Sequence, residues 1–326
     1  MLIIKRPQTD PFFNIAAEEY LMKNTSGDCF MLWQNEPSII IGKHQNALSE
    51  INLPFVKENN IPVIRRISGG GTVFHDPGNL NFTFISDGET GKLVDFRKFT
   101  QPIIEVLNHL GVPAKFEGKN DLRVNGFKIS GNSEHVYKNR ILHHGTLLFS
   151  SDLTNLGNAL RSGHEKFQDR AVQSVRSKVA NISDFLTNKI SILEFKERIE
   201  KYISGKFPGS EFHHLNTSEI AAIRKLSEAK YRTWEWNFGY SPDYFFKNSV
   251  KVNEVLYNFE VQVKKGLISE IQFDYKNKSS SLDVFLMQEV VGKRHHYDEL
   301  LRLFESNRQM LAEVNLKPEI LIKILF

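Results

Sequence analysis

The dipeptide Asn125-Gly126 sits between two runs that alternate apolar and polar residues, Asp121 to Val124 and Phe127 to Ser130. Both central residues of a two-residue hairpin turn need positive φ, and Asn-Gly tolerates this best, so the pair is the strongest short-range hairpin signal a sequence can carry. Such a turn fixes the register: Val124 faces Phe127, Arg123 faces Lys128, Leu122 faces Ile129 and Asp121 faces Ser130. Period two then places Leu122, Val124, Phe127 and Ile129 on a core face, and Asp121, Arg123, Lys128 and Ser130 on the other. Arg123 opposite Lys128 is a like-charge pair, which costs stability unless an anion or a carboxylate lies between them. The pairing is a first pointer to an anion site.

Around the hairpin the chain reads as mixed helix and strand. Asp10-Pro11 is a helix N-cap followed by proline at the first helical position, and Phe13, Ala16, Ala17, Tyr20 and Leu21 recur at helical spacing. This predicts an amphipathic helix. Short apolar runs at Cys29 to Trp33, Ser38 to Ile41, Val63 to Ile64, Thr72 to Phe74 and Asn81 to Ile85 read as strands. Phe99, Ile103, Val106, Leu107 and Leu110, closed by Gly111 and Pro113, mark a second helix. The resulting order is α+β, not a βαβα alternation. From about Asn181 to Tyr231 the chain reads as helical and charged. Past Lys251, alternating runs flank a Lys265-Gly266 turn, with helical segments to the end. A boundary near residue 246 gives a large domain, 1–245, and a small one, 246–326.

A chain of 326 residues buries about three quarters of its unfolded surface and needs no covalent staple. Its single cysteine, Cys29, has no partner, which fits a reducing compartment. Lys plus Arg number 42 and Asp plus Glu 38, and the resulting +4 is far from the charge of a dedicated nucleic-acid binder. No apolar stretch approaches the roughly 18 residues of a membrane span. The start lacks the apolar core and cleavage site of a signal peptide. The expectation is a cytoplasmic protein with neither nucleic acid nor membrane as partner.

There is no G-x-x-x-x-G-K-[ST], G-x-G-x-x-G, H-E-x-x-H or G-x-S-x-G motif, which excludes the common nucleotide, zinc-protease and hydrolase signatures. Three His-His pairs occur, but neighbours on a strand point to opposite faces, so a pair rarely supplies two ligands to one metal. The segment 65–76, Arg-Arg-Ile-Ser-Gly-Gly-Gly-Thr-Val-Phe-His-Asp, stands apart. Three glycines let the backbone approach a ligand and present N–H groups to an anion, and the arginines add donors suited to phosphate or carboxylate. The alternative is a glycine-rich bend beside a solvated arginine pair. Lys128, with Asp121 and Asn120 close by, is either a solvated lysine or part of a set that holds a phosphate and its magnesium ion. His143-His144-Gly145 reads as a buried strand with a satisfied histidine and a close backbone approach at the glycine.

Taken in order, the segments at 65–76, 120–122 (Asn-Asp-Leu), 128–132 (Lys-Ile-Ser-Gly-Asn), 143–148 (His-His-Gly-Thr-Leu-Leu) and 174–179 (Ser-Val-Arg-Ser-Lys-Val) resemble the lipoate–protein ligase family. Phe13 to Glu19 and Trp234 to Gly239 match it too. The resemblance runs the whole length. It implies an α+β fold of the class II tRNA-synthetase and biotin-ligase kind, with mixed sheets and helices, plus a small α+β C-terminal domain. It implies that lipoate and ATP give lipoyl-AMP and pyrophosphate. The acyl group then passes to a lysine of apo lipoyl domains, in 2-oxoacid dehydrogenase E2 subunits or the glycine-cleavage H protein.

By the same resemblance Lys128 is the catalytic cation between lipoate carboxylate and α-phosphate, touching both substrates. Arg66, Gly71, Thr72, Val73 and Phe74 contact ATP, and Arg65, Ser68, Gly70 and His75 line the lipoate side of the turn. Asn120 and Asp121 are assigned to Mg2+ and pyrophosphate. The eight-carbon tail needs an apolar slot, whose burial contributes up to about 6 kcal/mol at roughly 0.8 kcal/mol per methylene; the first helix and Ser38 to Ile41 are candidates for its walls. The polar segment Glu165 to Ser174 looks like a loop able to close over the adenylate, mobile without ligand. Ser133 stands where many members have alanine. A lipoyl or octanoyl transferase of the same fold is the rival reading. Several of those use a nucleophilic cysteine, whereas Cys29 reads as a core residue.

Overall fold

Asp10 Oδ1 accepts the N–H groups of Phe12 and Phe13 at 2.9 and 3.4 Å, so the first helix begins where the Asp-Pro pair places it. The structure, a computed structural model, describes all residues except 89–93, 161–164, 176, 253–254 and 276–279. Arg176, part of one of the five family-like segments, lies outside the described residues.

In chain order the elements are β1 (Leu2–Lys5), α1 (Pro11–Asn24), β2 (Cys29–Trp33), β3 (Ser38–Ile41), β4 (Val63–Arg65), β5 (Val73–His75) and β6 (Asn79–Asp87). There follow α2 (Phe96–His109), β7 (Lys115–Glu117), β8 (Asp121–Val124), β9 (Phe127–Tyr137), β10 (Arg140–Leu148) and β11 (Phe167–Asp169). Then come α3 (Ile192–Lys206), β12 (Glu211–His214), α4 (Thr217–Leu226), β13 (Tyr244–Val252), β14 (Val255–Lys264) and β15 (Leu267–Tyr275). Helices at Tyr297–Ser306 and Pro318–Leu325 are among the last elements. The fold is α+β.

The chain divides into two compact units. The first is Met1–Lys43, Val56–Leu160 and Ser174–Thr233; the second is His44–Phe55, Arg161–Gln173 and Trp234–Phe326. The division therefore does not follow one cut at residue 246. The second unit begins earlier and takes up two segments from within the first 245 residues. Its sheet runs β11-β13-β14-β15, with Phe167 opposite Phe246. Part of the segment read as a polar loop, Glu165 to Ser174, is thus a strand, and buried Phe167 is what holds it in that sheet.

The first unit contains an eight-stranded sheet, β12-β1-β2-β6-β10-β9-β8-β7, and a three-stranded one, β4-β3-β5. The two faces of the large sheet differ. One transverse row, Phe30, Phe84, His143 and Glu134, belongs to the face packed against Phe99 and Ile103 of α2 and Phe195 and Ile199 of α3. Burying each of these large side chains contributes about 1.5–3 kcal/mol. The next row, Met31, Thr83, His144 and Ser133, faces α1. That helix is buried nearly all round, including Asn14, Glu18 and Glu19, so the amphipathic reading is corrected: these polar residues are inside because partners meet them there. The region read as helical from Asn181 also contains β12, which pairs in parallel with β1 at the sheet edge. No helix among the described residues is long and apolar enough to cross a membrane.

The β8–β9 hairpin turns at Asn125 (φ 50°) and Gly126 (φ 82°), with Val124 opposite Phe127 and Arg123 opposite Lys128, as the sequence requires. One pair further the register shifts: Leu122 faces Ser130 and Asp121 faces Gly131, leaving Ile129 as the extra residue of a bulge. Phe127 is 41% exposed at the hairpin tip instead of in the core. Ile129 and Ser130 are both fully buried.

Candidate active site

The bulge decides where Lys128 points. In an unbroken strand it would share a face with Ser130 and Asn132; with one extra residue it shares a face with Gly131 and Ser133. A Cβ on Gly131 would come within 3.1 Å of both Cε and Nζ of Lys128, so the lysine lies directly over that glycine. Asp121 sits between the two cations, with Oδ2 2.8 Å from Arg123 and Oδ1 2.8 Å from Lys128 Nζ. This carboxylate answers the like-charge pairing. The strand is pinned from its other side, where Lys128 N donates to Lys178 O at 2.8 Å and Lys128 O accepts from Ala180 N. Asn120 Nδ2 donates to Asn132 O, and Asn132 Nδ2 returns a bond to Asn120 O at 3.0 Å.

The glycine segment 69–71 follows β4 and lies beside this face, because Ser133 Oγ donates to Gly69 O at 2.8 Å. Arg66 is buried, with Nε on Ser68 Oγ, Nη1 on Ile40 O and Nη2 on Gly69 O and Gly71 O. Burial pulls its guanidinium down to about 10, against the pull of Glu18 in the other direction, and it remains charged at neutral pH. Arg65 is fully buried and donates to Gly42 O and Lys43 O at 3.0 and 3.1 Å. Both arginines, read from the sequence as donors to an anion, are turned into the protein, where they hold backbone carbonyls. What the segment leaves outward are the N–H groups of Gly69, Gly70 and Gly71, which donate to nothing among the described residues. Such a row of amides is an anion-binding concavity. Gly70 has φ +85°, and a Cβ on Gly71 would press on Ser174 at 3.1–3.4 Å. Thr72 N donates to Ser174 Oγ at 2.8 Å. Val73 pairs with Ile40 and buried Phe74 with Ile39.

Behind the segment lies a chain of buried polar groups. Trp33 Nε1 donates to Thr83 Oγ1, which donates to Glu18 Oε1 at 2.6 Å. The same carboxylate meets His144 Nδ1 at 3.0 Å, and His144 Nε2 meets Ser68 Oγ at 2.6 Å. The charge on Glu18 assigns the proton to Nδ1, so Nε2 accepts the serine hydroxyl. Adjacent His143 goes to the opposite face, stacked on Phe99 and bonded to Glu134, and burial lowers its pKa. The satisfied histidine of the sequence reading is therefore His143, and His144 belongs to the site. His75 is buried beside Trp33, with Nδ1 3.0 Å from Asn35 Nδ2, and desolvation lowers it to about 3. A Cβ on Gly145 would meet Asn132 Oδ1 at 2.2 Å, so the glycine does permit close backbone approach.

The hairpin, glycine segment and histidine strand thus converge in one unit. Glu18, Thr83 and Trp33 carry no role in the sequence reading, which takes His144 only as part of a buried strand and Ser133 only as a departure from alanine. The available signal was Glu18 itself, a carboxylate three and four residues before Leu21 and Met22 on the first helix. Cys29 is buried, and burial raises its thiol, the opposite of what a nucleophilic cysteine needs.

The sequence profile of the lipoyl protein ligase A/B catalytic domain matches residues 10–204. The chain belongs to this family. It is 41% identical over 296 residues to lipoate–protein ligase 1 of Staphylococcus aureus, covering 90% of this chain and 89% of that one. It is 40% identical over 268 residues to a lipoate–protein ligase of Bacillus subtilis, covering 80% of each. A crystal structure of lipoate–protein ligase A bound with ATP superposes with TM-score 0.63 at 25% identity, covering 73% of this chain and 98% of that one. A Thermoplasma acidophilum protein with bound lipoic acid, described as a lipoate protein ligase, gives 0.62 at 26% identity over 73% of this chain and 98% of its own. These relatives are lipoate–protein ligases, not transferases of the same fold. Family membership makes the chain a ligase that forms lipoyl–protein amide bonds.

Proposed function

We propose that the face shared by Lys128, Gly131, Ser133 and the glycine segment is where lipoate is activated by ATP. The observation that carries this is the seating of the Lys128 ammonium over Gly131, on the same face as three amides that donate to nothing else among the described residues. A carboxylate attacking an α-phosphate brings two anions together. A fixed cation between them offsets the repulsion, and preorganised amides take up charge on the phosphate oxygens without reorganising. In the first step the carboxylate oxygen bonds to α-phosphorus as the bond to the β-phosphate breaks, giving lipoyl-AMP and pyrophosphate. In the second the amine of the acceptor lysine attacks the acyl carbon, loses its proton, and AMP leaves.

Lys128 touches both substrates in this reading. Gly71, Thr72, Val73 and Phe74 form the nucleotide side of the turn, with Arg66 setting its shape from behind. Ser68, Gly70 and His75 form the lipoate side, with Arg65 holding the Gly42 and Lys43 carbonyls behind it, and His144 and Glu18 fix the Ser68 hydroxyl. Asn120 and Asp121 make no metal centre alone: both Asp121 oxygens already hold cations, and no cluster of three acidic, histidine or cysteine ligands occurs among the described residues. Magnesium arriving on phosphates needs only one or two carboxylates, and Asp121 would supply one in exchange for Arg123 or Lys128. Acceptors are apo lipoyl domains of 2-oxoacid dehydrogenase E2 subunits or the glycine-cleavage H protein, and the setting is cytoplasmic. The test is lipoate-dependent ATP–pyrophosphate exchange by wild type and Lys128→Ala. Exchange in wild type that Lys128→Ala retains in full would sink the assignment.

A further inference from the structure

The face of β9 that carries the site continues beyond it. Past the bulge, Gly131, Ser133, His135 and Tyr137 alternate onto one side, with Lys128 over Gly131 and Gly69 bonded to Ser133. At roughly 3.3 Å per residue the distance from Gly131 to Tyr137 is about 20 Å. Lysines flank this stripe from the glycine segment to its far end. Lys43 lies beside the glycine segment, its N–H donating to Ser68 O at 2.8 Å, and its ammonium forms no ion pair among the described residues. Lys23 and Lys138 lie 5.1 and 5.5 Å from the centre of the exposed Tyr137 ring. Lys23 and Lys230 both bind Glu19, which also accepts the Tyr231 hydroxyl. Lys23 and Lys230 thus share the Glu19 carboxylate, while Lys43 and Lys138 form no ion pair among the described residues. Half-buried His135 stands among them, its imidazole lowered to about 4 by burial and then by Lys43.

An excess of positive charge of this kind beside an exposed aromatic platform suits an acidic protein surface. The phosphates of one nucleotide do not account for it, because a triphosphate held at the glycine segment does not extend to Tyr137. We propose that this stripe docks the acceptor domain through an acidic flank, bringing the acceptor lysine to the Lys128 end. The inference rests on the ligase reading above.

The test uses the full chain carrying Lys23→Glu and Lys138→Glu together, with Lys201→Glu on the exposed side of α3 as control, and an acidic apo E2 lipoyl domain as the probe. Lipoate-dependent ATP–pyrophosphate exchange should stay within about twofold of wild type. The KM for the lipoyl domain should rise about tenfold at low ionic strength, and the gap should close in high salt as the charges are screened. Exchange intact with an unchanged acceptor KM would overturn the proposal. So would a loss of exchange, which would assign the stripe to ATP. Affinity for the same domain, titrated without ATP, reads the surface independently. Weakened binding in the double variant sustains the docking site even if wild type shows no exchange, a result that refutes the ligase reading alone.

Discussion

Two hairpins of this chain share one backbone plan and put it to different uses. In β8–β9 the turn is Asn125-Gly126, in β14–β15 it is Lys265-Gly266, and all four residues have φ between 50° and 82°. Each has a register shift at the same place: Ile129 is the extra residue in the first, and Ser269, between Ile268 opposite Val263 and Glu270 opposite Gln262, is the extra residue in the second. The positions next to the turn-flanking pair are Arg123 and Lys128 in one and the fully buried Val263 and Ile268 in the other. Turn and bulge therefore set geometry only. Function enters with the residues that the geometry aims, and in β9 the bulge swings a lysine onto the face of the glycine segment.

Replacing the aimed residue should have the largest effect. Lys128→Ala should lower the rate of adenylate formation by about 10²–10³-fold, the usual scale for losing one preorganised charge-stabilising group, with little change in melting temperature. Val263→Ala should do the reverse, leaving exchange per folded molecule unchanged while destabilising the fold by about 2 kcal/mol. If both variants lost activity but not stability, the contrast between the hairpins would collapse.

The two turn glycines separate next. A Cβ on Gly266 would fall 2.6 Å from Trp234 and 2.7 Å from Gly239 Cα, whereas one on Gly126 would meet nothing within 4 Å. Gly126→Ala pays only for its positive φ, about 1–2 kcal/mol, while Gly266→Ala adds a steric clash and should cost more than twice as much in denaturant unfolding. Smaller still is Ser133→Ala, which removes the hydroxyl bonded to Gly69 O. It should lower exchange about threefold through a looser glycine segment, about what one modest hydrogen bond supplies; an unchanged rate would mean that Arg66 alone fixes the segment.

The last comparison concerns pH. Burial keeps His75 neutral down to about 3 in the first unit, and His295 down to about 4 in the second. Both lie below the ordinary histidine value, so the unfolded chain binds protons that these rings refuse. Their contribution is complete above about pH 6.5 and is lost as pH falls toward 4 and then 3, on the order of 1 kcal/mol per pH unit for each ring. Urea midpoints at pH 7 and pH 5 should differ accordingly, and His295→Gln should flatten the second unit's share.

The turns, the strands at Cys29–Trp33 and Ser38–Ile41, and the Asp121–Lys128 neighbourhood were legible because their signals are local. The bulge was not, since nothing in Lys-Ile-Ser-Gly announces an unpaired residue, and the regular register put Ser130 where Gly131 stands. Glu18 and His144 are 126 residues apart, and only the sheet brings them together. The arginines of 65–66 were read as donors for a ligand because composition cannot tell which carbonyls a guanidinium will find first.

The interleaving of the second unit has a consequence for how the protein is made. β11 is synthesised long before β13, against which it pairs, and Ala47 N waits for Ser241 Oγ, at 3.2 Å, from still later in the chain. At about 5–20 residues per second on the ribosome, β11 stays unpartnered for about 4–16 s and Ala47 for about 10–40 s. Stopping synthesis at residue 245 would release a chain in which Phe167 never meets Phe246.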